Sequence, residues 1–427
     1  SYNYSKLGET WAAPRIIRLP SDEGNIRNDT YVAVLAGGYG RSEEIGSAVF
    51  LVNLESIEEK PGAIEGAEVN NGPITIVNLN TEKISSEGDI ISLDIPNSIP
   101  TDPVIITPDT FKGANWRGAM VYVNDFEGKI TKINLTSATT NRASFSEDLQ
   151  VVGLYDQTTL FRLGTTYENG RLSYFGMDAA YGNQTKNLWL FGGTGDFGDI
   201  GGKSKGMDNI LYGIRDRHFP NFTHLNKETI PVGNDSIFYS TAKKAALESK
   251  VIEDDKDYCV DTSKDGLTDS CPGQTKDAWF FKLDKPNDKK LDKEVDDTNV
   301  ENKYRKVSAS PTVFKGTVYY PVYTPPEGDA KCGVGNAYIC SADDECGINK
   351  SDKIQYASKS VRTESHYDTY SGCYYLQPGI LSKLVVFRGS LFGNITTSSD
   401  EQEDTLVSIL SGSSEIYSQK GSWRENY

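Results

Sequence analysis

Three kinds of strand-forming segment recur in the same order along this 427-residue chain. The first has a proline at its start, the second is apolar and ends near glycine or a turn, and the third alternates and ends in a small polar group. Proline at the first strand position gives up no ladder hydrogen bond, and alternation indicates one buried face. Segments of the first kind are 12–19, 101–108 and 309–314. Those of the second kind are 31–38, 119–125, 317–323 and 390–396. Those of the third kind are 48–54, 129–135, 278–284 and 336–343.

A repeated three-part unit of short strands joined by turns predicts an all-β fold. Small antiparallel sheets repeated radially make an irregular β-propeller, and we treat residues 1–427 as a single propeller domain. A two-sheet sandwich is the alternative, but a single sandwich rarely uses this many residues. The repeats are unevenly spaced, so long inserted loops are expected. Only residues 240–255, STAKKAALESKVIEDD, read as a helix of any length.

Charge and hydropathy exclude two classes of partner. The net charge is −16 and the sequence pI is about 4.8, so the field of the protein repels phosphate. No apolar run approaches the roughly 20 residues that cross a bilayer. We therefore expect no nucleic-acid binding and no membrane insertion. The first residues are not a signal peptide, so we expect the chain to be the C-terminal part of a longer secreted protein.

Two segments interrupt the repeats. Residues 284–303 are almost wholly charged or turn-forming, which predicts a flexible insertion. Residues 192–208 are rich in glycine, but they lack the GK[ST] ending and the following helix of a phosphate-binding loop. We interpret this second segment as a long turn between blades.

The cysteine pattern favours disulfides in an oxidising compartment, since their number is even and all lie in the second half of the chain. Zinc is the alternative, but there is no CxxC pair and the three histidines have no ligand spacing. We predict that Cys259 pairs with Cys271, and the other four allow three arrangements. The six cysteines are Cys259, Cys271, Cys332, Cys340, Cys346 and Cys373.

The segment CVDTSKDGLTDSC, residues 259–271, has the spacing of a calcium loop. Calcium takes six to eight oxygen ligands, which such a loop supplies from alternate residues while Gly266 allows the sharp turn. Position twelve is Pro272, so the bidentate glutamate of an EF-hand is missing. A remote acid must complete the shell, with Asp254, Asp255 and Asp257 nearby. The alternative is a disulfide-pinned acidic turn. The predicted ligands are Asp261, Ser263, Asp265, the carbonyl of Leu267, and Asp269.

Other candidates for chemistry favour structural roles. The acids Asp343, Asp344 and Glu345 in SADDEC are expected to be solvated at the end of a strand. His218 and His366 have acidic neighbours, but no G-x-S-x-G nucleophile elbow accompanies them. We therefore predict no catalytic residues and no enzyme activity.

Five tryptophans remain to be placed: Trp11, Trp116, Trp189, Trp279 and Trp423. Trp11, Trp189 and Trp279 lie in strand segments and are expected in the core. Trp116 lies in the loop 109–118, where a core position is favoured over an exposed one that could stack on a sugar.

Taken in order, these segments resemble the C-terminal β-propeller of the PilY1/PilC family of type IV pilus tip adhesins. Each phrase alone is weak, and their order and spacing along nearly the whole chain carry the resemblance. The phrases are LGETWAAPRI (7–16), YVAVLAGGYG (31–40), AVFLVNLES (48–56), VYVNDFEGKITKINL (121–135), LWLFGGTGDFGD (188–199), LYGIRDR (211–217), AWFFKLD (278–284), SPTVFKGTVYYPVYTPP (310–326) and GNAYICSAD (335–343).

The resemblance implies an irregular propeller of about seven blades. It also implies an extracellular protein at the pilus tip that adheres to a host or abiotic surface. Such a protein supports pilus assembly and retraction by contacting minor pilins. In the family, a calcium loop often precedes the "YAGD" phrase, but the corresponding residues 106–119 have Asp109 as their only carboxylate. Whether residues 261–269 replace that loop stays open.

Two other functions compete with this interpretation. Quinoprotein-like propeller dehydrogenases share the style of the blade phrases, although this chain lacks the adjacent cysteine pair that often contacts their quinone. A carbohydrate-binding propeller would need an exposed aromatic platform, for which Trp116 is the candidate.

Overall fold

In a computed structural model of the chain, each complete three-part unit of the sequence forms three consecutive antiparallel strands. The all-β prediction is confirmed. The structure describes residues 3–20, 29–40, 45–55, 73–79, 83–84, 90–92, 95–108, 116–137, 156–204, 206–222, 243–253, 256–263, 271–284, 303–327, 333–351, 354–356, 367–368, 372–396 and 406–410.

The chain divides into two compact units. Unit 1 comprises Ser1–Thr166 with His218–Ile252, and unit 2 comprises Tyr167–Arg217 with Glu253–Tyr427. The predicted insertion 284–303 lies outside the described residues except for Asp284 and Lys303.

Unit 1 opens with a four-stranded meander in which each strand pairs with the next along the chain. Proline precedes the first strand directly, as the sequence pattern predicts. The second and third strands pair over five residues, from Val32 opposite Asn53 to Ala36 opposite Val49. The strands are β1 (Arg15–Leu19), β2 (Thr30–Ala36), β3 (Ala48–Asn53) and β4 (Ile74–Thr75).

A two-stranded ribbon and a five-stranded sheet follow in unit 1. The larger sheet is a meander of four consecutive strands, and a late strand adds to its edge in parallel. The ribbon consists of β5 (Lys83–Ile84) and β6 (Ile90–Ser92). The sheet has the order β14-β10-β9-β8-β7 and consists of β7 (Val104–Ile106), β8 (Gly118–Asn124), β9 (Lys129–Thr136), β10 (Asp156–Arg162) and β14 (Lys250–Val251).

Unit 2 begins with a five-stranded sheet whose strand order differs from the order along the chain. Its order is β11-β12-β13-β16-β15, because the chain makes a long excursion after β13 before β16 pairs antiparallel with it. The strands are β11 (Asp178–Tyr181), β12 (Leu188–Gly193), β13 (Ile210–Asp216), β15 (Cys259–Asp261) and β16 (Ala278–Lys282).

All strand pairs in the two remaining sheets of unit 2 are antiparallel. One has the order β17-β19-β20-β23-β22 with β18 also on β19, and the other has the order β21-β27-β26-β24 with β25 also on β26. Their strands are β17 (Lys306–Val307), β18 (Thr312–Phe314), β19 (Thr317–Thr324), β20 (Asn336–Asp343), β21 (Gln355–Tyr356), β22 (Tyr367–Asp368), β23 (Cys373–Pro378), β24 (Ile380–Leu381), β25 (Val385–Phe387), β26 (Ser390–Thr396) and β27 (Leu406–Leu410).

The cores lie between neighbouring sheets of each unit. In unit 1, the inward residues of β1–β3 pack against those of β8 and β9, for example Val34 and Leu51 with Val121 and Ile133. In unit 2, one cluster joins the sheet of β12 to the sheet of β19, and another joins the sheet of β20 to the sheet of β26. Each fully buried aliphatic or aromatic side chain contributes roughly 1.5–3 kcal/mol, so these clusters dominate the stability of each unit.

The predicted helix 240–255 is shorter than its sequence suggests. Among the described residues, 243–248 are helical, and the prediction is wrong beyond them because residues 250–251 form β14. Ser249 lies between the helix and the strand, and its hydroxyl donates a hydrogen bond to the carbonyl of Ala246 at 2.6 Å. A four-residue helix, Pro272–Thr275, also precedes β16. No helix in the described part of the chain is long and apolar enough to cross a membrane.

Candidate functional site

The predicted calcium loop begins where a buried strand ends. Strand β15 runs parallel to β16, and this pairing places Asp261 opposite Phe280. The Asp261 side chain is buried, and its Oδ1 accepts hydrogen bonds from the main-chain N–H of Ser263, at 3.0 Å, and from the Ser263 hydroxyl. The first two predicted ligands therefore lie in contact with each other.

These two residues fit a hard cation. Calcium binds carboxylate and hydroxyl oxygens, and a hydroxyl that donates its proton to a carboxylate keeps its lone pairs for a metal. The other predicted ligands, Asp265, Leu267 and Asp269, lie outside the described residues, as do Asp254 and Asp255. Within the described part of the chain, no group of three or more His, Cys, Asp or Glu side chains is arranged to hold a metal ion.

The predicted Cys259–Cys271 disulfide is wrong. Cys271 bonds to Cys346, with their Cα atoms 4.6 Å apart, and Cys340 bonds to Cys373. Cys332 lies outside the described residues. The physical reason is tertiary: disulfides require Cα atoms within about 4.4–6.8 Å, and the fold brings the turn after β20 to Cys271.

Both ends of the loop are nevertheless fixed. At the start, the N–H and hydroxyl of Thr262 both donate to the carbonyl of Phe280, at 2.8 and 3.1 Å. At the end, the Cys271–Cys346 disulfide ties the chain to the turn that follows β20. A loop with fixed ends loses less conformational entropy on binding a cation, so these contacts favour cation binding although the bridge is not the predicted one.

Two acids of the SADDEC turn, Glu345 and Asp343, form hydrogen bonds and ion pairs with other groups of the protein. Glu345 is buried, and its carboxylate accepts the main-chain N–H groups of Gln184, at 2.8 Å, and Thr185, at 2.6 Å. Asp343 accepts the N–H of Cys346 at 2.9 Å and pairs with the ammonium of Lys350 at 2.7 Å.

Asp344 differs from the other two acids. Burial, together with the neighbouring charges of Asp343 and Glu345, raises the pKa of Asp344 to about 7. The three carboxylates thus have separate roles, and the prediction that they are solvated is wrong for Glu345.

A second buried charge cluster lies in unit 1, at the turn between β8 and β9. The ammonium of Lys129 contacts the carboxylates of Asp125, at 2.7 Å, and Glu127, and all three side chains are almost fully buried. Glu127 also accepts the N–H of Leu79 at 3.1 Å. Burial raises the pKa of Glu127 to about 7, against the opposing charge of Lys129.

This cluster was not predicted, because the segment Asp125–Gly128 reads as an ordinary acidic turn. Strand alternation gives no signal for it, since residues 125–128 lie between the two strands and the turn itself brings the charged groups together.

Three of the tryptophans lie in the core. Trp189 and Trp279 are fully buried, as predicted, and their Nε1 atoms donate to Thr185 Oγ1 and the Asp344 carbonyl. Trp116 is buried as well, with its Nε1 donating to the carbonyl of Pro220 at 2.8 Å. Trp116 therefore offers no open face to a sugar.

Trp11 is not a core residue, contrary to the prediction. Its side chain is 59% exposed and stacks on Tyr39 with ring centroids 6.0 Å apart. Proline and two alanines separate Trp11 from strand β1, so it lies outside the alternating pattern that buries β1.

Comparison with known proteins decides the fold. The crystal structure of the Pseudomonas aeruginosa PilY1 C-terminal domain matches 96% of this chain and 74% of that chain, with a TM-score of 0.50 and 14% sequence identity. The chain has the fold of the PilY1 C-terminal domain. The predicted β-propeller class and the resemblance to this domain are confirmed at the level of fold. The number of blades stays a prediction.

Other comparisons add little to the PilY1 fold. The α-L-arabinofuranosidase Arb93A from Fusarium graminearum, in complex with an iminosugar inhibitor, matches 94% of this chain and 92% of that chain at 10% identity. Its TM-score of 0.27 is too low to carry an argument. No protein-family model matches the sequence, and no curated protein matches it.

Proposed function

We propose that this chain is the propeller domain of a non-catalytic adhesin associated with type IV pili. The PilY1 fold over 96% of the chain carries the proposal, together with the order of the family's phrases in the sequence. Fold alone does not imply function, so the phrases add the specific part of the argument. The two disulfides and the acidic surface agree with an extracellular location at the pilus tip.

In this role the domain docks onto minor pilins and presents its loops to a host or abiotic surface. The charged groups of the buried clusters bond to the protein's own main chain or to one another, as Glu345 does with Gln184 and Thr185. Such groups stabilise loops and turns, which is what a display domain requires. Pilus assembly and retraction would then depend on this contact.

Docking is testable with purified components. The folded domain is immobilised, and minor pilins from the same cells are passed over it in biolayer interferometry. We expect saturable binding that an acidic propeller of unrelated family does not show. Absence of binding by a domain that melts cooperatively would contradict the pilin-docking proposal.

We also propose that residues 261–269 bind calcium weakly, with a dissociation constant of about 10⁻⁴–10⁻³ M, as in extracellular modules. The buried Asp261 carboxylate beside the Ser263 hydroxyl supports this proposal. The test compares melting temperatures in EDTA and in millimolar calcium for the wild type and for Asp261→Ala with Asp265→Ala.

A calcium-dependent rise in melting temperature is expected in the wild type and in the control variant, and not in Asp261→Ala with Asp265→Ala. Glu253→Ala is the matched control, because this exposed acid pairs with Lys256 just outside the loop. A wild type that does not respond to calcium shows that the loop is only a turn, and this result leaves the docking proposal standing.

A further inference from the structure

The glycine-rich segment of unit 2 folds around an ammonium group. Lys306 Nζ donates hydrogen bonds to three main-chain carbonyl oxygens, those of Asp199, Ile200, at 3.1 Å, and Gly202, at 2.9 Å. The Lys306 side chain is fully buried at the start of β17. An ammonium group has three donors, so the segment satisfies all of them.

The surroundings of this ammonium have the character of a cation site. An unpaired ammonium in a protein interior is costly, and burial lowers the pKa of Lys306. The carboxylates of Asp199 and Asp196 oppose this effect and favour the charged form. Three inward carbonyl dipoles with two carboxylates nearby are the arrangement that proteins offer to bound cations.

The main chain of the segment closes around the same point. The N–H of Asp199 donates to Asp196 Oδ1 at 3.1 Å, and the N–H of Gly202 donates to the carbonyl of Asp199 at 3.0 Å. At Gly195, an added Cβ would lie 2.6 Å from the Cβ of Lys306, so only glycine permits this approach. Gly195 therefore serves the contact with Lys306.

The number of oxygens selects the type of cation. The three carbonyls lie 2.5, 3.1 and 2.9 Å from Lys306 Nζ. Three oxygens match the three N–H donors of an ammonium, whereas calcium takes six to eight. Outside this cage, the segment exposes Phe197, whose ring packs edge-on against Phe175 with centroids 5.0 Å apart.

We propose that the carbonyls of residues 199–202 form a binding site for a primary ammonium, and that Lys306 is its resident cation. The site holds the exposed turn around Phe197 in one conformation without a metal ion. The inference is independent of the proposed function, and it adds a cation site separate from residues 261–269.

Truncation of the Lys306 side chain tests the site. In Lys306→Ala, hydrogen–deuterium exchange of the peptide covering residues 195–203 is expected to quicken by about ten-fold or more, since bonds to a charged donor are lost. Methylammonium should restore part of the protection, and tetramethylammonium, which has no N–H donor, should not. Lys203→Ala is the matched control, because Lys203 is an exposed lysine of the same segment that donates to the Pro326 carbonyl.

Two results would overturn the proposal. One is protection in Lys306→Ala within about two-fold of the wild type, or equal rescue by both ammonium ions. The other is measured in Asp261→Ala with Asp265→Ala, which lacks the proposed calcium site: if EDTA abolishes the protection of residues 195–203 there, the resident cation is a metal. Should Lys306→Ala not fold, Lys306→Met, which keeps an unbranched side chain without N–H donors, takes its place with the same expected loss of protection.

Discussion

The carboxylate of Asp284 accepts the main-chain N–H of Arg305 at 3.0 Å and a guanidinium N–H of the same residue at 3.1 Å. Both side chains are buried. This pair closes the base of the charged segment that sequence analysis predicts to be a flexible insertion. The residues that flank the pair, Leu283 and Val307, belong to the same core cluster.

Breaking this pair is expected to destabilise unit 2. Asp284→Ala leaves a buried guanidinium without its carboxylate, which should lower the free energy of unfolding by about 3–5 kcal/mol. Urea denaturation measures the change. The control is Glu327→Ala, which removes an exposed ion pair to Lys303 and should cost about 0–1 kcal/mol. Equal losses in the two variants would show that the Asp284–Arg305 contact does not close the insertion.

The turn between β8 and β9 should make stability depend on pH. Two carboxylates and one ammonium are buried together, so the fully ionised cluster carries one uncompensated negative charge. Burial raises the pKa of Glu127 from 4.5 to about 7, so the folded state holds this proton more tightly than the unfolded state. Its contribution to stability is therefore fully present below about pH 4.5 and is lost as the pH rises to about 7.

The measurement is the free energy of unfolding between pH 5 and 8 for the wild type and for Glu127→Gln. The wild type should lose about 1–3 kcal/mol more than the variant as the pH rises through this range. Glu55→Gln, at an acid that accepts the N–H of Tyr31 near the surface, is the control. Parallel pH profiles for wild type and Glu127→Gln would mean that Glu127 is ionised throughout.

The Cys340–Cys373 disulfide spans 33 residues and joins β20 to β23. Replacing both cysteines with alanine should cost about 4 kcal/mol, because the unfolded chain regains the entropy of an open loop. Thermal unfolding measures the loss. A double variant as stable as the wild type would mean that the disulfide adds no stability to the pairing of β20 with β23.

Peptide mapping by mass spectrometry should find a third bridge. The sequence predicts that all six cysteines are oxidised, and two pairs are assigned in the structure. The remaining pair is then Cys259 with Cys332. A free thiol on either residue in the secreted protein would contradict this prediction.

Truncation of two tryptophans should lower the free energy of unfolding by very different amounts. Trp189→Ala removes a fully buried ring and should cost about 3–5 kcal/mol. Trp11→Ala removes an exposed ring that stacks on Tyr39 and should cost less than about 1 kcal/mol. Chemical denaturation of both variants checks the difference, and similar losses would place Trp11 in the core after all.

The strands could be predicted from the sequence because their signals are local. Alternating side chains mark β3 and β9 as strands, and proline marks the starts of β1 and β18. The prediction that such runs bury one face only is wrong for β9, all eight residues of which are buried. Those signals do not depend on distant parts of the chain. Fold class and strand positions therefore followed from the pattern.

Most of the errors, other than the placement of Trp11, involve partners that are distant in sequence. The predicted helix ends early because residues 250–251 pair with β10, which lies about 90 positions earlier in the chain. Cys271 bonds to Cys346 rather than to its neighbour Cys259 because the fold, not the spacing, sets the Cα separation. Lys306 reaches the carbonyl of Asp199 across a similar gap. Local pattern gives no signal for any of these contacts.

The most direct test of the account is the location of the protein on cells that produce it. Antibodies against the folded domain, detected with gold particles in electron microscopy, report where it lies. The proposed function predicts label at the tips of type IV pili, and loss of that label in cells without minor pilins. Label spread over the cell surface or confined to the cytoplasm, with pilus tips unlabelled, would contradict it.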